Sequence, residues 1–394
     1  MSLKTRSGRN WGQLGMTSNW KTCQLGELVT FTSGGTPSKK KAEYWNGSIP
    51  WISAKTMKDE HISTSDLMIS EEGLKNGSRL APQGSILFLI RGSGLFNGIP
   101  ICLVDKPVAF NQDVKCINSI SEIENKYVFY WLLSQASTLS AIVGVTTIGA
   151  GKFDMDVIKR LEISYPEKEV RNEIIRIADA ISDKIRLNTA INENLELQAQ
   201  AIFKSWFVDF EPFGGVMPVD WNVGAFSDVA DVLSGKRPPM KQNDKTEDAS
   251  IPLIGAAAIM GYTNKFNHDD KILVIGRVGT HGIVQRFDYP CWTSDNTLVI
   301  KSNYYEYTYQ ILKLIDYKAM NRGSTQPLIT QGDLKKTEII IPSKECLQKY
   351  ENIVGSLMYQ YSQNRTENEK LALLRDTLLP KLMNGEIDVS KVRI

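Results

Sequence analysis

Two arginines stand in similar turns of this chain and have the chemistry to bind nucleic acid. Arg91 lies in the run ILFLIRGSG and Arg277 in ILVIGRVGTHG, and each follows a short apolar strand and has glycine nearby. Arginine binds phosphate or guanine through paired hydrogen bonds, and small neighbours let the backbone approach a ligand closely. An arginine in a turn is often only solvated, but recurrence at the same place favours binding. The hydroxyls of Ser93 and Thr280 in these turns also suit phosphate contacts.

Two further loops, residues 145–153 and 322–331, are rich in threonine, serine, glutamine and glycine. Their hydroxyl and amide groups can form hydrogen bonds with phosphates and base edges, and each loop also contains a basic residue. The alternative is an ordinary polar loop. The candidates here are Thr147, Lys152, Arg322, Ser324, Thr325 and Gln326.

Basic residues near the turns that contain Gly34 and Gly235, together with separate amide side chains, complete the set of candidates. A run of charge is most often a solvated surface, but its occurrence at the same place in two parts of the chain favours contact with a phosphate backbone. The basic candidates are Lys39, Lys40, Lys41, Lys236 and Arg237. Amide groups can read adenine edges in the major groove. The amide candidates are Asn111, Gln112 and Asn296.

The sequence lacks the nucleotide-binding and metal-binding motifs that an enzyme acting alone would be expected to contain. The run GAGKF at residues 149–153 is the nearest approach to a phosphate-binding P-loop, but Thr146 stands where the first glycine is required. The three histidines, His61, His268 and His281, are not at metal-ligand spacing from one another or from a cysteine. We therefore expect no catalytic residue, no metal and no cofactor in this chain.

The candidates occur in pairs because most of the chain is duplicated. Trp20 and Trp221 are 201 residues apart, and the same offset relates Ser33-Gly34 to Ser234-Gly235. The strand-like run IPWIS at residues 49–53 returns as IPLIG at 251–255. The offset then falls to 176 and stays constant to the end of each copy. Two long copies indicate a tandem duplication of a globular part followed by a helix, since a solenoid needs shorter and more numerous repeats.

Each copy ends in a long amphipathic helix. Residues 169–207 contain no proline or glycine, and their apolar residues recur at steps of three and four. At about 1.5 Å per residue such a helix is roughly 55–60 Å long. The pattern returns 176 residues later, so we predict that the two helices pack on each other; the alternative is the general likeness of amphipathic helices. Asparagine within an apolar stripe fixes register at a cost in stability. The predicted register residues are Asn188, Asn192, Asn364 and Asn368.

Charge and cysteine usage add two expectations. The chain has 46 Lys and Arg against 44 Asp and Glu, but residues 1–58 alone carry nine basic residues and two acidic ones. The positive excess therefore lies outside the helices, which fits globular parts that touch phosphate. Five scattered cysteines, no signal peptide and no apolar run of eighteen residues indicate a cytoplasmic protein. Residues 1–18 are expected to be a disordered leader.

These runs give the chain a resemblance to the specificity (S) subunits of type I restriction–modification systems. The likeness begins at Trp20 and rests on LGELVTFTSGGTP, IPWIS, ILFLIRGSG, FNQD and LEISYP with their counterparts in the second copy. The resemblance implies an α+β fold with two target recognition domains, mixed α/β with a mainly β core, at residues 19–166 and 212–342. Two long antiparallel coiled-coil helices, within residues 167–211 and 343–394, would join them in a pseudo-two-fold tandem repeat.

The resemblance also implies a function and partners. Such a subunit reads a bipartite, asymmetric site in double-stranded DNA, uses its helices as a ruler, and docks two methyltransferase (M) subunits and restriction (R) subunits. S-adenosylmethionine would belong to the methyltransferase, ATP and Mg to the restriction subunit, and no cofactor to this chain. Two alternatives remain: a protein-interaction scaffold that does not touch DNA, and part of a fused-type DNA methyltransferase or nuclease.

Overall fold

The structure, a computed structural model, describes residues 20–147, 149–278, 282–317, 319–320 and 328–392. The predicted leader lies outside these ranges. The chain divides into two compact units. Unit 1 comprises the described residues up to Arg186 and from Glu367 onward, and unit 2 comprises those between Leu187 and Thr366. Each unit therefore combines one strand-rich part with a segment from each of two long helices.

The strand-rich part of unit 1 consists of short strands and helices. Its strands are β1 (Lys21–Gln24), β2 (Val29–Ser33), β3 (Ile49–Ile52), β4 (His61–Ile62), β5 (Met68–Ile69), β6 (Arg79–Ala81), β7 (Ile86–Leu89), β8 (Arg91–Gly92), β9 (Ile101–Val104), β10 (Val108–Phe110), β11 (Val114–Ser119), β12 (Gly144–Val145), β13 (Gly151–Lys152) and β14 (Glu162–Tyr165). Its helices are α1 (Leu25–Leu28), α2 (Glu71–Gly77), α3 (Asn125–Ser134), α4 (Ala136–Ala141) and α5 (Met155–Lys159).

A five-stranded sheet in the order β2-β11-β7-β9-β4 forms the centre of unit 1. The strands β7 and β9 are buried along their whole length, as their continuous apolar sequences predict. A four-stranded sheet (β5-β3-β10-β6), a small sheet (β12-β13-β8) and the pair β1-β14 lie around it. Helix α3 contributes Tyr127, Phe129 and Trp131 to the same hydrophobic core.

The first long helix, α6 (Lys168–Phe207), begins against this part of unit 1. The guanidinium of Arg171 is buried and donates hydrogen bonds to a Glu124 carboxylate oxygen at 2.9 Å and to the Pro166 carbonyl at 3.0 Å. About two turns further along, Asp179 accepts a hydrogen bond from the Tyr130 hydroxyl at 2.7 Å. These contacts attach the start of α6 to α3, because Glu124 directly precedes α3 and Tyr130 lies within it.

Unit 2 repeats the architecture, with fewer strands among its described residues. Its strands are β15 (Asn222–Ala225), β16 (Asp231–Ser234), β17 (Ile251–Ile254), β18 (Ile259–Thr263), β19 (Ile272–Gly276), β20 (Gln285–Phe287), β21 (Trp292–Thr293), β22 (Thr297–Lys301) and β23 (Glu338–Ile341). Its short helices are α7 (Tyr305–Leu314) and α8 (Gln331–Lys335), and the second long helix is α9 (Lys344–Met383). The main sheet has the order β16-β22-β19-β20, beside a sheet β18-β17-β21 and the pair β15-β23.

A buried ion pair connects β20 to α7 in unit 2. The guanidinium of Arg286 forms two hydrogen bonds of 2.7 Å with the Glu306 carboxylate, and both side chains are at most one-tenth exposed. The same guanidinium lies 4.8 Å and 4.5 Å from the ring centres of Tyr305 and Tyr309. Burial by itself would lower the pKa of Arg286, but the hydrogen bonds and charge of Glu306 raise it above its usual value. Arg286 therefore stays charged, and its buried charge is stabilised by the Glu306 carboxylate.

The start of α7 is also fixed by a carboxylate from α9. The two oxygens of Glu351 accept hydrogen bonds from the backbone N–H groups of Glu306 and Tyr307, at 3.1 and 2.9 Å. A carboxylate at this position satisfies donors that a helix leaves unpaired at its N-terminus. Burial nevertheless raises the pKa of Glu351 to about 7.

The two long helices pack against each other through their asparagines. In unit 2 the Asn192 amide donates to the Tyr361 carbonyl at 3.1 Å, and the Asn364 amide donates to Asn192 at 3.0 Å. In unit 1 the Asn368 amide donates to the Ile185 carbonyl at 3.2 Å. The contact from Asn368 to Ile185 corresponds to the contact from Asn192 to Tyr361. Each residue is shifted by 176 positions, and the two helices exchange roles. Asn188 is also buried, and the role of these four side chains in fixing register stays a prediction.

Candidate nucleic-acid interface

Strand pairing collects the candidate loops of unit 1 at one edge of its main sheet. β11 is antiparallel to both β2 and β7, with Lys115 opposite Ser33 and Val114 opposite Leu89. The loops that follow β2, precede β11 and follow β7 must therefore lie side by side. These loops, residues 34–48, 111–113 and 90–100, are called here the loop edge of unit 1. They contain all of the candidates of the first copy except Thr147 and Lys152.

Asp113 connects three of the candidates at the loop edge of unit 1. Its carboxylate accepts hydrogen bonds from Nε of Arg91 at 2.7 Å, from Nδ2 of Asn111 at 3.3 Å and from Nε2 of Gln112 at 3.5 Å. The amide oxygen of Asn111 in turn accepts the backbone N–H of Asp113 at 3.0 Å, and the Asn111 side chain is buried. Asn111 thus stabilises the turn, whereas Arg91 and Gln112 are exposed. Because Asp113 binds one side of the guanidinium, Nη1 of Arg91 is left to face a ligand.

Two further contacts hold the neighbouring loops together. The Thr36 hydroxyl donates a hydrogen bond of 2.7 Å to the Gln112 amide oxygen, which orients the amide N–H₂ of Gln112. The ammonium group of Lys115 donates to the Ser33 hydroxyl at the end of β2. Neither Thr36 nor Lys115 was predicted from the sequence, because hydroxyl and lysine side chains are common in loops and carry no local signal of their partner.

The small sheet β12-β13-β8 extends the loop edge and adds the remaining candidates of the first copy. Lys152 lies directly opposite Arg91 in the antiparallel pair of β13 and β8, and both side chains are exposed. Thr147 is exposed in the turn between β12 and β13. Ser93 is exposed just after β8. Two cations and two hydroxyls therefore project from a backbone that hydrogen bonds hold in place.

The lysines of the loop after β2 all face solvent. The Lys41 ammonium donates a hydrogen bond of 2.9 Å to the Tyr44 hydroxyl and lies 4.8 Å from the centre of the Tyr44 ring. This hydrogen bond raises the pKa of Lys41 above its usual value. Lys39 and Lys40 are exposed beside it, so this loop presents one cation held by a tyrosine and two further exposed cations.

Unit 2 builds a corresponding loop edge, formed by the loops after β16, before β22 and after β19. Ser234 lies opposite Leu298 and Gly276 opposite Thr297, so the ends of these strands coincide. The backbone N–H of Arg277 donates to the Asn296 carbonyl at 2.9 Å. Lys236, Arg237 and Asn296 are exposed at this edge. The other candidates of the second copy, Thr280, Arg322, Ser324, Thr325 and Gln326, lie outside the described residues.

A tryptophan in each unit anchors the loop that carries the basic residues. The Trp51 indole N–H donates to the Gly35 carbonyl at 3.0 Å, and the Trp292 indole N–H donates to the Lys236 carbonyl at 2.8 Å. Gly35 and Lys236 occupy the same position at the 201-residue offset. The two tryptophans come from different strands of the adjoining sheet, β3 in unit 1 and β21 in unit 2. A comparison of the two copies position by position therefore does not detect this shared anchor.

Within the described ranges, no group of three or more His, Cys, Asp or Glu side chains is arranged to hold a metal ion. The same residues include no helix with both the length and the apolar character that a membrane span requires.

Both units thus place polar and basic loops at one edge of a mainly antiparallel sheet, and each packs against segments of the same two antiparallel helices. This arrangement defines a tandem-repeat recognition protein of the α+β class. The family of type I restriction modification DNA specificity domains matches the chain twice, over residues 17–197 and 218–374. The chain belongs to this family, and the resemblance stated above is confirmed.

Individual relatives agree with this assignment. The chain is 27% identical over 419 residues to the type I restriction enzyme MjaIX specificity subunit of Methanocaldococcus jannaschii, covering 95% of each protein. It is 34% identical over 178 residues to the EcoR124I/EcoR124II specificity subunit of Escherichia coli, covering 45% of this chain and 43% of that protein. The fold is also similar to the crystal structure of a type I restriction-modification S subunit from M. genitalium, with a TM-score of 0.59 at 18% identity. The match covers 94% of this chain and 98% of that chain. The predicted fold class is confirmed.

Proposed function

We propose that this chain is the DNA sequence-specificity subunit of a type I restriction–modification complex, with one half of a split DNA site read by each unit. The observation that carries this proposal is the repeated loop edge, which presents Arg91 and Gln112 in unit 1, with Lys152 on the adjoining small sheet, and Lys236, Arg237 and Asn296 in unit 2. Cations contact phosphates, while arginine and amide groups read base edges. The two edges differ in residue type, so the two half-sites differ in sequence.

The chain itself is proposed to be non-catalytic. The methyltransferase partner would bind S-adenosylmethionine and modify an adenine, and a restriction partner would use ATP and Mg. Because a base cannot be methylated inside the duplex, the partner would also flip the adenine out of the stack. In this division of labour the present chain selects the sequence and would act in the cytoplasm, where the chromosome is accessible.

Genome-wide mapping of N6-methyladenine tests the proposed function. A host that expresses this chain with its neighbouring methyltransferase should show methylation at a split motif, and a host that lacks the chain should not. In the same assay Arg91→Ala should relax one half of the motif and leave the other half unchanged, because each arginine that contacts a base contributes about 1–3 kcal/mol to discrimination at its position. Methylation that persists unchanged without the chain would refute the proposal and favour the scaffold alternative.

The long helices carry a repeated exposed feature that suits two copies of one partner. Leu197 on α6 and Leu373 on α9 are 62% and 69% exposed, and they are 176 residues apart. Each follows an exposed glutamate by one helical turn, Glu193 and Glu369 respectively. An apolar side chain that is exposed twice at equivalent positions contributes to neither hydrophobic core. We propose that each leucine, with its glutamate, contacts one methyltransferase subunit.

Charge placed at these leucines should prevent assembly without unfolding the chain. We expect Leu197→Glu with Leu373→Glu to reduce methyltransferase binding at least about tenfold at each site, since burying a leucine contributes roughly 1.5–3 kcal/mol. Native mass spectrometry of the mixed subunits would count the bound copies, and each single variant should retain one. Leu187→Glu is the control, because Leu187 is 56% exposed on α6 and its counterpart at position 363 is a glutamine. A double variant that still binds two copies would exclude this docking surface.

A further inference from the structure

The turn between β8 and β9 in unit 1 has a fixed backbone conformation. Gly92 and Gly98, at its two ends, have φ values of 145° and 113°, which side chains other than glycine rarely adopt. Between them Ser93–Leu95 forms a single 3₁₀ turn. The backbone N–H of Phe96 donates to the Ser93 carbonyl at 3.2 Å, and that of Asn97 donates to the Gly94 carbonyl at 3.1 Å. The position of each side chain on this turn is therefore determined by its backbone.

The turn presents a phenylalanine to solvent although it already has an apolar anchor. Leu95 is 2% exposed and packs over Gly151, where an added Cβ would lie 2.9 Å from the Leu95 Cβ. The next residue, Phe96, is 51% exposed. Burying a phenylalanine side chain contributes roughly 1.5–3 kcal/mol, and about half of this stabilisation is not used within unit 1. The ring is thus available for contact with a ligand.

The surroundings of Phe96 favour duplex DNA as that ligand. Arg91 and Lys152 lie opposite each other on the small sheet from which the turn projects. Val145, on the next strand of the same sheet, is 68% exposed. Two cations beside an apolar surface match a DNA groove, where phosphates line the rim and thymine methyl groups and base faces lie inside. The turn is also continuous with the loop edge of unit 1, so one duplex can contact both.

We infer that Phe96 is the apolar base-contacting residue of unit 1 and enters the groove of the half-site that this unit reads. The inference rests on the proposed function. Proteins that read DNA use phenylalanine either against thymine methyl groups or as a wedge between base pairs, and both contacts require an exposed ring on a rigid element. Lys152 contacts the phosphate backbone, Arg91 reads a base edge, and Phe96 adds an apolar contact that also depends on base identity.

The test compares Phe96→Ala and Phe96→Leu with the wild type in the full chain assembled with its methyltransferase. Binding is measured on two duplexes over a range of salt concentrations. One contains the mapped split site, and in the other the half-site read by unit 1 is scrambled. We expect Phe96→Ala to bind the mapped site at least about tenfold more weakly, to bind the scrambled duplex unchanged, and to keep the wild-type salt slope. Phe96→Leu should retain part of the affinity. Lys152→Ala should instead lower the salt slope by about one.

Ile120→Ala is the matched control. Ile120 is 63% exposed and directly follows β11, at the opposite end of that strand from Asp113 and the loop edge. Its loss should leave binding to both duplexes unchanged. Wild-type affinity of Phe96→Ala for the mapped site, or an equal loss on both duplexes, would overturn the inference. A wild-type complex that does not distinguish the two duplexes would instead refute the proposed function.

Discussion

Replacing Glu306 with alanine should destabilise unit 2 by about 3–5 kcal/mol, the usual cost of leaving one partner of a buried ion pair uncompensated. Arg286 cannot lose its proton at any ordinary pH, because arginine is a very weak acid and the hydrogen bonds and charge of Glu306 raise its pKa further. Its side chain is only 10% exposed, and Tyr305 and Tyr309 flank the guanidinium. Without the carboxylate, the arginine must either stay buried unpaired or pull β20 away from α7.

A graded series separates charge from shape at this pair. Glu306→Gln keeps the volume of the side chain and one hydrogen-bond acceptor. We therefore expect the stability of unit 2 in this variant to lie between that of the wild type and that of Glu306→Ala. The double variant Arg286→Met with Glu306→Leu removes both charges and replaces them with apolar side chains of similar size. Because the desolvation of both ions is removed as well, the double variant should recover most of the stability.

Hydrogen exchange is the appropriate measurement, since a chain with two units is not expected to unfold in a single step. The amides of α7 and β20 should exchange faster in Glu306→Ala by the factor that corresponds to the lost free energy. The amides of β7 in unit 1 should be unaffected. Work at pH 8 keeps Glu351, with its pKa of about 7, mainly ionised in the wild type. A loss of less than about 1 kcal/mol would mean that water solvates the unpaired Arg286 guanidinium. The stability of unit 2 would then not depend on a buried ion pair.

The ion pair also shows why part of this structure was not predictable from the sequence. Arg286 and Glu306 are twenty residues apart, and each belongs to an element whose own pattern gives no sign of the other. Long-range polar pairs depend on how β20 and α7 pack, which periodicity does not report. The same limit applies to the indole anchors of Trp51 and Trp292, because they reach equivalent carbonyls from different strands.

Features that depend on local pattern were predicted correctly. The long helices follow from apolar residues at steps of three and four without proline or glycine, and α6 extends over 168–207 where 169–207 was predicted. The arginine turn, the amide turn and the lysine loop of unit 1 lie together because of antiparallel strand pairing, which the sequence alone did not predict. The sequence could not show how the amides are used: Asn111 and Gln112 are adjacent, yet the first is buried in its own turn and the second is exposed. Their part in reading DNA stays a prediction.

Gly34 and Gly235 occupy equivalent positions in the two loop edges, and both are packed too closely to accept a side chain. An added Cβ on Gly34 would fall well inside contact distance of the Phe110 carbonyl oxygen and 2.6 Å from the Asn111 carbonyl oxygen. An added Cβ on Gly235 would similarly overlap the Ser294 carbonyl oxygen and lie 2.6 Å from the Thr297 hydroxyl. Most of these obstacles are backbone atoms, so rotation of a side chain cannot remove them.

Gly34→Ala should therefore separate the loop after β2 from the loop before β11. The hydrogen bond of 2.9 Å from the Gly35 N–H to the Phe110 carbonyl would be lost, together with the contact between Thr36 and Gln112. We expect a loss of about 1–3 kcal/mol in stability from the overpacking alone. The affinity of the assembled complex for the half-site read by unit 1 should fall more than about tenfold, since several contacts at the loop edge are displaced together.

The two glycine variants should have reciprocal effects on recognition. If each unit reads its own half-site, Gly34→Ala weakens discrimination at one half of the mapped motif and Gly235→Ala at the other half. Gly355→Ala is the matched control, because an added Cβ there meets no atom within 4 Å and alanine favours a helix over glycine by about 1 kcal/mol. This control should bind DNA normally and be slightly more stable. Binding assays with each half-site scrambled in turn would measure the effects, and identical losses at both half-sites in both variants would show that the two units do not read DNA independently.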